Sequence, residues 1–105
     1  MNEVTRVDAL GLPIGPALPA WQPPARPPQH PLPGRFGSVE PLDVARHARA
    51  LFDANGQDRE HRMWTYLSYG PFMDFDTYEH WLTGCAASTD PLFQAFVERK
   101  SGNAV

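Results

Sequence analysis

Nine of the twelve prolines in this chain fall between Pro13 and Pro33, and this run limits the fold more than any other feature. Proline fixes the backbone angle φ and removes an amide donor, so a run this dense is typical of an extended, polyproline-like arm. We therefore divide the chain into an arm at 1–33 and a folded part at 34–105. Trp21 lies in the arm, and we expect it to dock onto the folded part, because exposing a Trp is unfavourable.

A second interpretation of the arm is a proline-motif ligand. It carries Pro13-x-x-Pro16 and Pro24-x-x-Pro27, with Arg26 nearby. Such spacings arise by chance in any proline-rich segment, so we favour an arm that bridges or wraps.

Composition excludes several classes of function. The formal net charge of -3 provides no basic surplus to neutralise phosphates, which argues against a nucleic-acid partner. The lone Cys85 cannot form an intramolecular disulfide, and the start Met1-Asn2-Glu3 lacks the basic and apolar blocks of a secretory signal. No apolar run is long enough to cross a bilayer. We expect a cytoplasmic protein with no membrane partner.

The folded part begins with a predicted strand at 34–42 that contains Phe36 and Val39. Asp43 then offers an N-cap for a helix whose apolar residues recur at helical spacing. Asn55-Gly56 is the predicted end of that helix.

A second predicted helix begins near Asp74 or Asp76 and ends before 88–91. A strand at 92–97 follows, and 100–103 is a turn that starts a hairpin. The fold class is thus α+β, with the order strand, helix, helix, strand. We expect the second strand to lack its following neighbour, and an unpaired edge of this kind can bind a partner or a second copy of the chain.

The segment 63–72 concentrates aromatic side chains around a turn at Tyr69-Gly70-Pro71. Aromatic residues this costly to expose usually line a core or a pocket. This segment is therefore the first place to look for a binding site.

Four groups of residues together resemble a known family. They are Gly15-Pro16-Ala17-Leu18-Pro19 with Trp21-Gln22-Pro23; Gly34-Arg35 through Glu40-Pro41-Leu42-Asp43; Trp64-Thr65-Tyr66-Leu67 with Tyr69-Gly70-Pro71-Phe72; and Tyr78, Trp81 and Asp90-Pro91-Leu92-Phe93 through Ser101-Gly102. The chain is similar to the N-terminal part of GCN5-related N-acetyltransferases, in the branch of ribosomal-protein and amino-terminal acetyltransferases.

This resemblance implies an incomplete GNAT-like fold that holds the acceptor side of the enzyme. The family transfers acetyl from acetyl-CoA to an amine, borne by a small molecule, a peptide or a protein. The acceptor groove would be formed by Trp64, Tyr66, Tyr69 and Phe72. The family's coenzyme loop comes later in the fold, so we expect no cofactor-binding residue in this chain and no catalysis by the chain alone.

The segment 99–104 matches the sequence pattern of the family's pyrophosphate loop. That loop must open a helix, because the anion binds at the helix N-terminus. Only Val105 follows the segment here, so we predict a hairpin turn at Ser101-Gly102-Asn103 instead.

No catalytic base can be assigned from the sequence. Four titratable residues follow the Gly70-Pro71 turn, namely Asp74, Asp76, Glu79 and His80. A simpler reading makes the two aspartates helix-start residues and pairs Asp76 with His80. Tyr66 and Tyr69 could bind substrate, but we favour core packing with a satisfied hydroxyl.

The pairs Asp76–His80 and Glu60–His61 lack further ligands at diagnostic spacing, so no metal is expected. Cys85 falls on the apolar face of the second helix and should be a buried, inert thiol. For His47, solvent or a local contact with Asp43 is sufficient.

We conclude that the sequence indicates the N-terminal segment of an acetyl-CoA-dependent N-acetyltransferase. The alternative is a free-standing interaction module that uses its apolar strand edge and aromatic patch.

Overall fold

The computed structural model of this chain describes residues 6–105. The start of the arm, including Met1-Asn2-Glu3, lies outside this range. Strands β1 (Arg6–Val7) and β2 (Pro13–Ile14) form a small antiparallel pair. The carboxylate of Asp8 closes it by accepting from the amides of Leu10 and Leu12 at 2.8 and 2.9 Å.

The arm makes the molecule elongated, although its last two residues, Leu32 and Pro33, pair with a strand of the folded part, so the predicted boundary at 33/34 cuts through the sheet. The radius of gyration is 19.7 Å, compared with about 13 Å for a compact domain of about 100 residues. Trp21 is 63% exposed, so the prediction that it docks is wrong. A local turn, in which the Trp21 amide donates to the Leu18 carbonyl, leaves the indole in solvent between flanking prolines.

A three-stranded antiparallel sheet follows, in the order β3-β4-β5. Its strands are β3 (Leu32–Pro33), β4 (Gly37–Pro41) and β5 (Gln94–Glu98). Both predicted strands exist but are shorter than expected. β3 was not predicted, because its Pro33 removes a ladder donor, which only an edge strand tolerates.

Helices α1 (Val44–Asn55) and α2 (Phe75–Ala87) pack against each other. Asp43 and Asp74 are their N-caps, as predicted, and accept from the backbone three residues on. The helical spacing and the caps therefore locate both helices correctly.

The core lies between the two helices and the aromatic segment. Its buried members are Ala48, Trp64, Tyr78 and Leu82. Cys85 is buried as expected, and burial raises the pKa of its thiol. Among residues 6–105, no helix is long and apolar enough to span a membrane.

After β5 the chain turns back on itself, as predicted. The amide of Glu98 donates to Asn103, and Val97 forms an antiparallel bridge with Ala104. Val105 donates to the carbonyl of Phe96. The outer edge of β5 is thus partly paired, which corrects the expectation of an open edge along the whole strand.

Candidate functional site

Trp64 is the centre of an aromatic cluster. Its ring centroid lies 6.2 Å from that of Tyr69, 5.5 Å from that of Phe72 and 6.0 Å from that of Trp81. Phe72 stacks on Trp81 with centroids 4.9 Å apart. Trp64 itself is only 8% exposed, so this cluster joins the core to the surface through its outer rings.

The turn at Gly70 packs against this cluster. Gly70 has φ of +77°, a backbone conformation that glycine adopts without steric cost. A Cβ at this position would collide with the indole of Trp64. The backbone therefore lies directly against the Trp64 ring, which explains why a glycine follows Tyr69.

Tyr66 does not join the cluster. It is 98% exposed, so the prediction that it packs in the core is wrong. A 3₁₀ turn (Arg62–Trp64) continues into a bond from the Leu67 amide to the Trp64 carbonyl. Trp64 faces the core from this turn. Tyr66, two residues later, therefore lies on the opposite side of the turn and faces solvent. The structure thus brings together Trp64, Tyr69 and Phe72 of the four predicted groove residues.

A cavity of about 380 Å³ lies beside the cluster. Its lining residues come from the end of α1, the linker that follows this helix and the residues just before α2, and they are Phe52, Asp53, Asn55, Gly56, Gln57, His61, Phe72 and Met73. Phe72 belongs to both the cluster and the cavity. We call this space the acceptor cavity, after the role that we propose for it below; of the four predicted groove residues only Phe72 lines it.

The acceptor cavity suits a cation. It lies at the carboxyl end of α1, where the helix dipole is negative, and no basic side chain occupies the last turn of this helix. The carboxylate of Asp53 adds a full negative charge, while Phe52 and Phe72 supply apolar walls. An amine on an apolar body matches this arrangement. Sequence reasoning missed Asp53, because only the fold brings the end of α1 beside Phe72.

His61 also lines this cavity and has an unusual backbone. Its φ of +57° is a left-handed conformation that a non-glycine residue adopts only at an energetic cost of roughly 1–3 kcal/mol. Such strain is often found at functional sites. The sequence alone indicates no role for His61 beyond a Glu60–His61 pair that lacks further metal ligands.

The four titratable residues after the Gly70-Pro71 turn lie outside the cavity lining. Asp74 caps α2, and hydrogen bonds from Thr77 lower the pKa of its carboxyl. The other three are exposed on the surface, and among the described residues Asp76 and His80 form no ion pair. The capping role predicted for Asp74 is confirmed, and the pairing is wrong because both side chains remain in solvent.

A buried polar pair was missed by the sequence. His47 is 2% exposed, and its Nε2 lies 2.7 Å from Oε1 of Glu40. The Asp43 amide donates to Nδ1 at 3.0 Å, so Nε2 carries the proton and donates to Glu40. Arg46 contacts the same oxygen at 3.0 Å. This pair joins α1 to β4 and does not line the acceptor cavity.

Residues 99–104 do not form a coenzyme pyrophosphate loop. The segment forms a turn in which the Gly102 amide donates to the Glu98 carbonyl, and it leads into the bridge at Ala104. Its amides therefore do not open a helix, which anion binding of this kind requires. Within 6–105, no group of three or more metal-ligating side chains comes together.

Solved structures that resemble this chain include two acetyltransferases. A GCN5-related N-acetyltransferase from Brucella melitensis is 32% identical with a TM-score of 0.70, and the match covers 81% of this chain and 38% of that one. A probable acetyltransferase of the GNAT family from Chromobacterium violaceum is 34% identical with a TM-score of 0.66, covering 88% of this chain and 46% of that one.

No family model and no curated protein matches the chain. The chain spans less than half the length of both matched structures. The predicted fold, a partial GNAT-like α+β arrangement, is confirmed by these matches. Identity above 30% together with the shared fold supports membership of the GCN5-related N-acetyltransferase family for the part of the fold that this chain spans.

Proposed function

We propose that this chain supplies the amine-acceptor side of an acetyl-CoA-dependent N-acetyltransferase. The observation that carries the proposal is the acceptor cavity, a negatively charged and aromatic-walled space within a fold shared with two acetyltransferases. The acceptor is an amine on a small molecule, a peptide or a protein.

The residues of the cavity have distinct tasks in this proposal. Asp53 and the end of α1 attract the ammonium form of the acceptor, and Phe72 holds its apolar body. The amine must lose a proton before it can act as a nucleophile. We propose that His61 accepts this proton, because it contributes an imidazole, the most frequent general base in enzymes, to the lining of the cavity.

Acetyl-CoA supplies the acetyl group in the complete enzyme. We propose that the 105-residue chain does not bind it tightly and does not catalyse transfer alone. The hairpin turn at 99–104 and the coverage of only 38% and 46% of the matched structures support this. We also propose a cytoplasmic location, since a single cysteine suits a reducing compartment.

Calorimetry with acetyl-CoA tests the proposed lack of coenzyme binding, and an acetyl-transfer assay tests the proposed lack of catalysis. We expect no binding by this chain and clear binding by a version extended with the residues that complete the fold in the Brucella melitensis structure. Turnover by the chain alone would contradict the inactivity proposal. Failure of the extended, folded protein to bind acetyl-CoA would overturn the proposed enzyme class.

The variant Asp53→Asn in the extended protein tests the site. We expect KM for the amine to rise several-fold while KM for acetyl-CoA is unchanged. Asp90→Asn is the control, because Asp90 does not line the cavity. Asp58→Asn is unsuitable, since the Asp58 carboxylate accepts a hydrogen bond from the Met63 amide. Equal effects of Asp53→Asn and Asp90→Asn would remove Asp53 from the site.

A second candidate function is a protein-interaction module. The observation that favours it is the exposure of three large hydrophobic side chains close together in the sequence, Met63, Tyr66 and Leu67. Analytical ultracentrifugation of the purified chain distinguishes the two ideas. A defined dimer that Tyr66→Ser dissociates would favour the module, and a monomer across the micromolar range would count against it.

A further inference from the structure

A second cavity lies where the arm meets the folded part. Its volume is about 350 Å³. The lining comes from the arm, the end of β4, the end of α2 and the segment after α2, and it consists of Arg26, Pro27, Gln29, Pro41, Leu42, Ala86, Ala87, Ser88, Thr89, Leu92 and Phe93. It shares no lining residue with the acceptor cavity. We call it the arm cavity.

We propose that the arm cavity binds a small carboxylate with an apolar body, such as a medium-chain fatty acid. The cavity is near the lower end of the range for ligand sites, roughly 300–1,000 Å³. This size fits a small molecule better than a peptide segment.

The charge of the cavity selects an anion. Arg26 is the charged residue of this lining, which contains no Asp or Glu among the described residues. The Arg26 guanidinium donates through Nη1 to the carbonyl of Thr89, another lining residue, which places this exposed side chain at the cavity. A guanidinium presents further N–H donors in a planar fork that matches a carboxylate.

The opposite wall is apolar. Leu42, Leu92 and Phe93 are each only partly buried, so a hydrocarbon chain can cover surface that residues 6–105 leave accessible. The cavity thus combines one positive charge with aliphatic and aromatic walls. A neutral or cationic ligand would leave the guanidinium without a partner of opposite charge.

Binding would have a structural consequence. Arg26 belongs to the arm, whereas Thr89 and Leu92 belong to the loop between α2 and β5. A carboxylate held by Arg26 with its chain against Leu92 would fasten the arm to the folded part. This function is independent of the acceptor cavity and of acetyl transfer.

Titration of the ¹⁵N-labelled chain with sodium octanoate, followed by NMR, tests the proposal. We expect shifts at the amides of Thr89, Leu92 and Phe93. Arg26→Gln should weaken the affinity about tenfold or more, since it removes a charge-assisted hydrogen bond. Arg59→Gln, an exposed arginine away from the cavity, should leave the affinity unchanged.

Octanol provides a control that does not depend on any variant. It has the same hydrocarbon chain without the charge, so we expect it to bind at least tenfold more weakly than octanoate. Equal affinity of the two ligands would overturn the proposal. So would unchanged octanoate binding by Arg26→Gln, or shifts confined to the exposed apolar residues of the arm.

Discussion

Nε2 of His47 donates to Oε1 of Glu40 across 2.7 Å, and both residues are buried. The bond joins the first helix to the central strand of the sheet. Buried polar groups are stable only while they keep their partners, because an unsatisfied one is costly. The attachment of α1 to the sheet therefore depends on this pair.

Glu40→Ala should lower the free energy of unfolding by about 1–3 kcal/mol, since it leaves the His47 Nε2–H buried without an acceptor. Glu40→Gln retains an acceptor oxygen and should cost less. Arg46→Ala should cost at most about 1 kcal/mol, because that side chain is 61% exposed. Urea unfolding at neutral pH measures all three. Equal losses for Glu40→Ala and Arg46→Ala would contradict the assignment.

Gly70→Ala should destabilise the fold by more than Gly102→Ala. Both glycines have positive φ, so both variants carry the backbone cost of roughly 1–2 kcal/mol. Only at Gly70 would the new Cβ also strike the Trp64 ring, whereas the space around Gly102 is open. Thermal unfolding of the two variants isolates the contact with Trp64. Equal shifts in Tm for the Gly70→Ala and Gly102→Ala variants would contradict the close contact between Gly70 and the Trp64 indole.

Trp64 and Tyr66 should respond differently to truncation. Trp64→Ala should cost about 3–5 kcal/mol of stability, since Trp64 is in the core. Tyr66→Ala should change stability by no more than about 0.5 kcal/mol, because Tyr66 is 98% exposed. In the extended enzyme, a rise in KM for the amine with Tyr66→Ala would place Tyr66 in acceptor binding. A large loss of stability on truncating Tyr66 would contradict its exposed position.

The N-cap of α2 should make stability depend on pH. Hydrogen bonds from Thr77 lower the pKa of Asp74 below its ordinary value of about 3.9. The ionised carboxylate therefore stabilises the folded state above the unfolded pKa, and this contribution disappears as the pH falls through the folded pKa. The stability difference between wild type and Asp74→Ala should thus shrink below about pH 4. Urea unfolding across pH 2–7 measures it, and a difference that stays constant would contradict the capping role.

Sequence alone located the elements that depend on local interactions. Asp43 and Asp74 cap helices whose amides lie only three residues away, and Asn55-Gly56 ends α1 where predicted. The hairpin turn after β5 is equally local. Interactions between near neighbours are written in the sequence itself, because no other part of the chain is needed to form them.

The tertiary structure decided everything that joins distant residues. It paired Leu32 of the arm with Val39, buried Glu40 against His47 and directed Tyr66 into solvent. It also formed both cavities, by bringing the end of α1 beside Phe72 and Arg26 beside Thr89. These contacts depend on how helices and strands pack, and the composition of each segment is compatible with several such packings.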